Sequence, residues 1–531
     1  MWPYDDYTWW VDAIHYATCP SMRNRSSFCS GSVGAPSLEE LNSSWTDALS
    51  VLRTGELTVD AAIPFLLSRK ALRKWKIAPA SLARVRRREA IAGFLARNKS
   101  SHLEEPIPYP YSVWMREVLQ EWLPRPTVLD PVTGRFGPGA CAERYTHAER
   151  MLHLSHWEAQ LWYHWPEVPH PRCDLADHQT ARLCAVPKQY DKDRLITVEP
   201  CYATFVQQAA RQYILQSIHE GPLAGTCMDL GYTDGQSIQR RLALRASRKK
   251  NLATLDLSDA SDRIGWLHVQ QVFPPHILDW LWQARTPYIQ YYEDLGQVGN
   301  HDELVQRHSP LRIYAGMGNA TTFPIETLFF AAFVYAYARA HGLRTFASVF
   351  GDDVICHSDT ARRLATESFP FFVVNPLKSF LGDDDLRESC GIFAYKGADI
   401  TVPKVDGFPN TWEGRTGLCD LHRRLDSGAV NSRCLKRLAG CIAGEHQLVN
   451  WPIHLPGYPS INDSIEGLLH GYDSLPESRW NSKLQRREYR VPIRRPRYRS
   501  YPLDWQRARM TNAPAPEEWL PAVLLGMVST P

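Results

Sequence analysis

The stretch TFASVFGDDVICHS, residues 345–358, decides how the rest of the chain is read. Two apolar runs rich in β-branched and aromatic residues flank a Gly-Asp-Asp turn, which predicts a β-hairpin with Asp352 and Asp353 at its tip. Adjacent acids at the end of otherwise buried strands are costly unless something positive sits beside them. Divalent cations are the natural partners, because hard cations take oxygen ligands and paired ions run in-line phosphoryl displacement. A solvated acidic turn would carry the same three letters. The chain supplies its own control in Gly382-Asp383-Asp384, followed by Asp385. No second apolar run follows that copy, so it reads as a solvated turn. The flanking strands, rather than the tripeptide, distinguish the first copy.

A matching acid lies upstream in NLATLDLSDASDRIGW, residues 251–266. It begins as a strand on which Leu252, Thr254, Asp256 and Ser258 share one face. Asp256 then falls near the strand's end, where an open sheet presents chemistry, and meets Asp352 and Asp353 if the strands are neighbours. Asp259 is the expected cap of the following helix. Asp262 lies at the helix start, where it either caps or reaches a nucleotide's ribose.

Between these acids, AGMGNATTFPIETLFFAAFVYAYARA covers residues 315–340. Gly316 and Gly318 make a close-approach loop, Thr321 and Thr322 offer hydroxyls, and Pro324 suits a first helical turn. Such a loop can lie against a ribose or a nucleic-acid backbone with its amides outward, which makes Gly318, Asn319 and Thr322 candidate nucleotide contacts. Glu326 is read first as an early-turn acid complementing the helix dipole, with a nucleotide contact as the alternative. The apolar remainder is too short and too mixed to span a bilayer. Upstream, VPKQYDKDRLITVEP (186–200) predicts a basic loop carrying Lys188, Lys192 and Arg194. These cations suit a triphosphate clamp, but Asp191, Asp193 and Glu199 interleave with them, and a solvated charge cluster looks the same. Lys378 either protonates a leaving pyrophosphate or is simply exposed.

The order decides between these alternatives: basic loop, Asp strand, glycine-loop helix, Gly-Asp-Asp hairpin, Lys, Cys-Gly turn. It points to a nucleotide polymerase palm and resembles viral RNA-dependent RNA polymerases, in detail the replicase catalytic subunit of the leviviruses, the positive-strand RNA bacteriophages. The resemblance rests on LDLSDASD, GMGNATTF with Glu326, VFGDDV, RESCGIF (387–393) and GADIT (398–402), and covers roughly residues 180–405. It implies that Asp256, Asp352 and Asp353 are magnesium ligands, with manganese a possible substitute. It likewise implies that Lys188 and Arg194 contact the triphosphate, that Asp262 senses the ribose and that Lys378 is the general acid. Met317-Gly318 and Glu326 depart from the Ser-Gly and Asn of many animal-virus enzymes. The implied fold is α+β, a right hand of fingers, palm and thumb with an antiparallel palm sheet packed by helices. The corresponding regions are 1–180 (N-terminal region and part of the fingers), 181–405 (catalytic core) and 406–531 (thumb and basic C-terminal segment). Implied partners are RNA template and product, ribonucleoside triphosphates, host elongation factors Tu and Ts and an RNA-binding ribosomal protein, in the cytoplasm of a bacterial host. A reverse transcriptase usually carries an aromatic-x-Asp-Asp hairpin, which Gly351 disfavours. A non-catalytic RNA-binding or packaging protein would leave the three ordered acids unexplained.

Composition agrees with an ordinary globular chain of 531 residues, 44% hydrophobic and 22% charged. Its net charge of +3 hides segregation: residues 70–99 hold ten Lys or Arg against one Glu, and residues 479–509 hold eleven against two acids. Such clusters are an electrostatic footprint for nucleic acid. In the second cluster Arg494, Arg495 and Arg497 alternate with Tyr498 and Trp505, suiting single-stranded RNA, where arginine neutralises phosphate and aromatic faces stack bases. A disordered basic tail and a surface docking a host protein are the alternatives. The twelve cysteines include no Cys-x-x-Cys pair and no zinc spacing, so reduced thiols are expected. The acidic, aromatic start MWPYDDYTWW lacks the layout of a signal peptide. Residues 21–37, 104–110 and 403–415 are candidate boundaries, and the periodicity of 409–450 predicts helices.

Overall fold

The computed structural model describes residues 14, 49–70, 80–127, 135–136, 139–146, 148–150, 180–189, 191–298, 301–402, 435–438, 478–482 and 486–489. The elements run α1 (Val59–Lys70), α2 (Ala80–Asn98) and α3 (Tyr111–Trp122), then a hairpin of β1 (Thr180–Gln189) and β2 (Lys192–Val198). Helices α4 (Cys201–His219) and α5 (Gly235–Lys249) lead to β3 (Leu252–Asp256), a 3-10 turn at Ala260–Arg263, α6 (Trp266–Val272) and α7 (Pro275–Ala284). A long hairpin, β4 (Tyr288–Val298) and β5 (His301–Pro310), precedes α8 (Thr322–Ala340). Then come β6 (Ala347–Phe350), β7 (Asp353–His357), α9 (Ser358–Thr366), β8 (Leu386–Ser389), β9 (Ile392–Tyr395) and β10 (Ala398–Asp399). A separate hairpin joins β11 (Ser478–Asn481) to β12 (Arg486–Tyr489). Helices and sheets are mixed, as the α+β class requires.

The Gly-Asp-Asp hairpin forms because Gly351 takes φ +67°, the left-handed conformation that glycine adopts without strain. Phe350 pairs with Asp353, so Gly351 and Asp352 are the two loop residues. Strand β3 pairs antiparallel with β7 in a register that sets Asp256 opposite Asp353, giving the strand order β3-β7-β6. Both faces of this sheet are apolar. Ala253, Leu255, Val354 and Cys356 pack with α8, while Leu252 and Ile355 meet Ala243 and Ala246 of α5 and Ile392 and Ala394 of β9. Strand alternation thus feeds two cores from one short sequence. β3 stops at Asp256, so Ser258 is not on the shared face as expected; its N–H donates to Val373 O.

Helix α8 is the centre of the larger core. Pro324 sits in its first turn, where a missing N–H costs no hydrogen bond. Phe333 meets Phe369, Phe371 and Phe372, each at a ring-centroid distance of 5.0 Å, and α3 covers the helix through Tyr111. Fully burying each such side chain contributes about 1.5–3 kcal/mol. A second sheet, ordered β2-β1-β4-β5, is mixed: β1 runs antiparallel to β2 and parallel to β4. The stretch expected to be a basic loop is therefore the hairpin of that sheet, because its apolar and charged residues alternate with period two. Among the described residues no helix is long and apolar enough to cross a membrane.

Most of the expected thumb and basic tail lies outside the described residues, including Arg494, Arg495, Arg497, Tyr498 and Trp505. Within 409–450 only 435–438 are described, and they are helical. The control Gly-Asp-Asp divides. Asp383 is solvated, its side chain 92% exposed, whereas Asp384 accepts from Leu381 N–H and Asp385 pairs with Lys250 at 2.6 Å.

Arg387, fully buried beneath this turn, donates to the carbonyls of Leu252, Asp384, Leu386 and Gly382 at 3.0, 2.6, 2.7 and 3.2 Å. Its cation holds together backbone that would otherwise be unsatisfied. Arg387→Met should cost roughly 3 kcal/mol in urea denaturation, the scale of losing charged hydrogen bonds to buried carbonyls. Arg362→Ala, which removes an exposed ion pair to Asp383, should leave the midpoint unchanged.

Candidate active site

The end of the β3-β7-β6 sheet opens on a cleft of about 830 Å³. Of the residues singled out from sequence, Lys188, Arg194, Asp256, Asp262, Gly318, Asn319, Thr322, Asp352 and Lys378 line it. Asp353 is set back from the lining. Its Oδ2 accepts from Cys390 N–H at 2.9 Å, under the Cys-Gly turn between β8 and β9. Burial pushes the Asp353 carboxyl up to about 7, with the neighbouring Asp352 adding to the shift and the Cys390 hydrogen bond opposing it. Asp352 is exposed at the turn yet closely surrounded, and desolvation followed by repulsion from Asp256 raises its carboxyl too.

Asp256 is neutralised from the opposite wall. Lys378 Nζ lies 3.0 Å from both its carboxylate oxygens, and Asn375 Nδ2 donates to Oδ2 at 3.1 Å. The Asp256 N–H donates to Ser379 Oγ at 3.0 Å, which fixes the strand end against this loop. Lys378 is therefore an ion-pair partner of a cleft carboxylate rather than a merely exposed lysine. Asn375 was not singled out from sequence.

Strand alternation also sorts the basic hairpin. Lys192 and Arg194 point outward on β2 while Asp193 and Leu195 point inward. Asp193 forms a buried ion pair with Arg86 of α2 at 2.5 Å. Glu199 is buried and accepts from Thr197 Oγ1, Gln207 Nε2 and Thr286 Oγ1 at 2.6, 3.0 and 2.5 Å. Two of the three acids expected to neutralise the cations are thus occupied elsewhere, and the third, Asp191, lines the cleft together with Lys188 and Arg194. Burial pushes the Lys188 amine down, as does repulsion from Arg194, Lys378 and Lys192, while Asp352 opposes the shift.

The glycine loop is seated against β2. Gly318 has φ +131°, and a Cβ there would lie 2.0 Å from Thr197 O, so no other residue fits. Thr197 N–H donates to Met317 O at 2.7 Å. Asn319 Oδ1 accepts from Thr321 N–H at 2.9 Å, and Thr322 Oγ1 donates to Gly316 O at 2.8 Å. Asn319 and Thr322 are thus spent largely on shaping the loop. Glu326 is not the dipole-complementing acid expected: no acid occupies the first turn of α8. It lines the cleft instead, where burial, then Asp352 and Asp262, push its carboxyl well above the usual range. Asp259, expected to cap, makes no capping bond; its φ is +51° and its carboxylate lies 3.7 Å from Arg97. Asp262 is buried against the same arginine. Arg97 had registered in the sequence only as part of a basic cluster.

Residues 175–405 match the family model described as RNA replicase, beta-chain. This segment is similar in sequence to the RNA-directed RNA polymerase beta chains of several phages. The chain is 32% identical over 216 residues to the RNA-directed RNA polymerase beta chain of Escherichia phage MS2, covering 40% of this chain and 36% of that one. It is 31% identical over 223 residues to the RNA-directed RNA polymerase subunit beta of Escherichia virus Qbeta, covering 41% and 34%. The chain thus spans about a third of the length of the curated relatives it matches. The crystal structure of the RNA-dependent RNA polymerase of a human picorbirnavirus aligns with a TM-score of 0.43 at 12% identity, over 78% of this chain and 83% of that one.

Among the described residues no three Asp, Glu, His or Cys side chains converge closely enough to hold a metal ion by themselves. Asp256 and Asp352 nevertheless offer hard oxygen donors to one cleft, and magnesium commonly takes one or two carboxylates plus substrate phosphates. The raised carboxyls fix the sign of a pH effect. A cation at Asp352 binds the deprotonated form of a carboxyl raised above its ordinary value, so affinity should climb with pH until that group is ionised, by up to roughly tenfold per unit for the proton displaced, and level off above it. Titrating manganese by electron paramagnetic resonance at pH 6, 7 and 8 checks this. Asp352→Asn should weaken binding at each pH, and a pH-independent affinity would contradict the assignment.

Proposed function

We propose that this chain is a template-directed RNA polymerase that replicates the genome of a positive-strand RNA phage. The observation that carries the reading is a single cleft lined by Asp256, Asp352, Asp262, Lys188 and Arg194. In this account the 3′-hydroxyl of the growing RNA attacks the α-phosphate of an incoming ribonucleotide and pyrophosphate leaves. Two magnesium ions, held by Asp256 and Asp352 with Asp353 behind them, would supply the chemistry, one lowering the hydroxyl's pKa and the other steadying the triphosphate and its leaving pyrophosphate. Lys188 and Arg194 hold the triphosphate, the lysine as a point charge and the arginine as a planar fork. Lys378, paired with Asp256, is the proposed proton donor to the leaving group. Asp262 accepts from the ribose, and the Gly318 loop backs the nucleotide.

The proposed architecture is a right hand, with the β2-β1-β4-β5 sheet in the fingers and the β3-β7-β6 sheet in the palm. The thumb falls in the C-terminal region. RNA template, RNA product and ribonucleoside triphosphates are the proposed ligands. Recruitment of host elongation factors Tu and Ts and an RNA-binding ribosomal protein, in the host cytoplasm, completes the proposal and rests on family likeness alone.

The test is template copying by single substitutions. Asp352→Asn and Asp353→Asn should lower nucleotide incorporation on the order of a thousandfold, the scale of removing a group that stabilises a transition state. RNA binding should stay near the parent's. Asp383→Asn, in the solvated turn, should change neither. Comparable activity in all three variants would reject the reading.

A further inference from the structure

Helix α2 braces the cleft at two points. Near its start Arg86 holds Asp193 of the basic hairpin, with the two side chains only 5% and 4% exposed. About three turns on, Arg97 reaches the 3-10 turn that carries Asp262. Both Arg97 Nε and Nη2 lie 3.0 Å from one oxygen of that carboxylate, Oδ2. A guanidinium commonly grips both oxygens of a carboxylate. Here the fork is spent on one, and Oδ1 of Asp262 has no hydrogen-bond partner among the described residues. Gly93, one turn earlier, gives the guanidinium its space: a Cβ there would lie 3.3 Å from Arg97 Nη1.

We propose that Arg97 is a positioning residue for sugar choice, fixing the Asp262 carboxylate through Oδ2 so that Oδ1 accepts the 2′-hydroxyl of an incoming ribonucleotide. The inference rests on the ribonucleotide site proposed above and adds the group that aims it. Burial raises the Asp262 carboxyl, and the charge of Arg97 is the largest effect opposing that rise. Without Arg97 the buried acid takes a proton or turns, and the oriented acceptor is lost. A site built to bond a hydroxyl discriminates only while its polar group is held in place.

Single-nucleotide incorporation of ATP and of dATP by the full chain tests this. Arg97→Met, which keeps the aliphatic stem, should lower the ATP/dATP ratio of kcat/KM at least about tenfold, chiefly by raising KM for ATP. Arg97→Lys keeps the charge and loses the fork, so its ratio should fall between those of the parent and Arg97→Met. Asp262→Ala should lower the ratio on its own, and Arg97→Met added to it should lower it no further. A parent-like ratio in the folded Arg97 variants overturns the proposal, as does an equal fall in kcat for both sugars. Where Arg97→Met does not fold, a parent-like ratio in Arg97→Lys suffices to overturn it. A parent chain that incorporates neither nucleotide rejects the polymerase reading itself, and the proposal with it.

Discussion

Strand register forces Asp256 opposite Asp353 with Asp352 in the turn beside them, and the surrounding structure offsets the repulsion this creates. The offset comes from three directions. Lys378 and Asn375 bond Asp256, the Cys390 amide bonds Asp353, and Lys188 approaches Asp352 from the basic hairpin. Asp352 and Asp353 nevertheless keep raised carboxyls, chiefly because burial disfavours their charged forms and then because other acids lie close. Ionised together, the three acids leave their corner of the cleft short of positive charge. A cation or a cation-bearing substrate relieves that shortage, which links the fold's cost to its proposed chemistry.

Rigidity around these acids comes from packing. The sheet is apolar on both faces, α8 supplies the phenylalanine core on one side, and α5 with β9 closes the other. Gln239 of α5 donates to the carbonyls of Ser348 and Asp353, so the Gly-Asp-Asp hairpin is buttressed at its backbone. The cationic wall is fixed differently, by the Arg86–Asp193 pair and by Glu199 beneath the glycine loop. Two separately built walls therefore meet at the cleft, and α2 touches both.

What the sequence made legible was local. The apolar, β-branched and aromatic runs flanking Gly351 identified the hairpin, and the apolar run after Pro324 identified the buried helix. Asp256 stood out because it ends a strand. What stayed hidden depends on distant partners. Arg97 lies 165 residues from Asp262, and no local pattern says which arginine of a basic cluster turns inward. The interleaved acids of the basic hairpin looked neutralising because a sequence does not show that Asp193 and Glu199 are claimed by Arg86 and by Thr197, Gln207 and Thr286. Glu326 was misread for a related reason. Its position near a helix start suggested a dipole contact, whereas its surroundings, Asp352 and Asp262, come from other elements.

The central claim is that one cleft binds both the cation and the triphosphate. A crystal structure with manganese and a non-hydrolysable ribonucleoside triphosphate tests it most directly, because anomalous scattering locates the metal independently of any kinetic assay. The account predicts manganese density against the carboxylates of Asp256 and Asp352, with the triphosphate on Lys188 and Arg194. Manganese bound instead at Asp383–Asp385, or a triphosphate seated away from the basic hairpin, would contradict it.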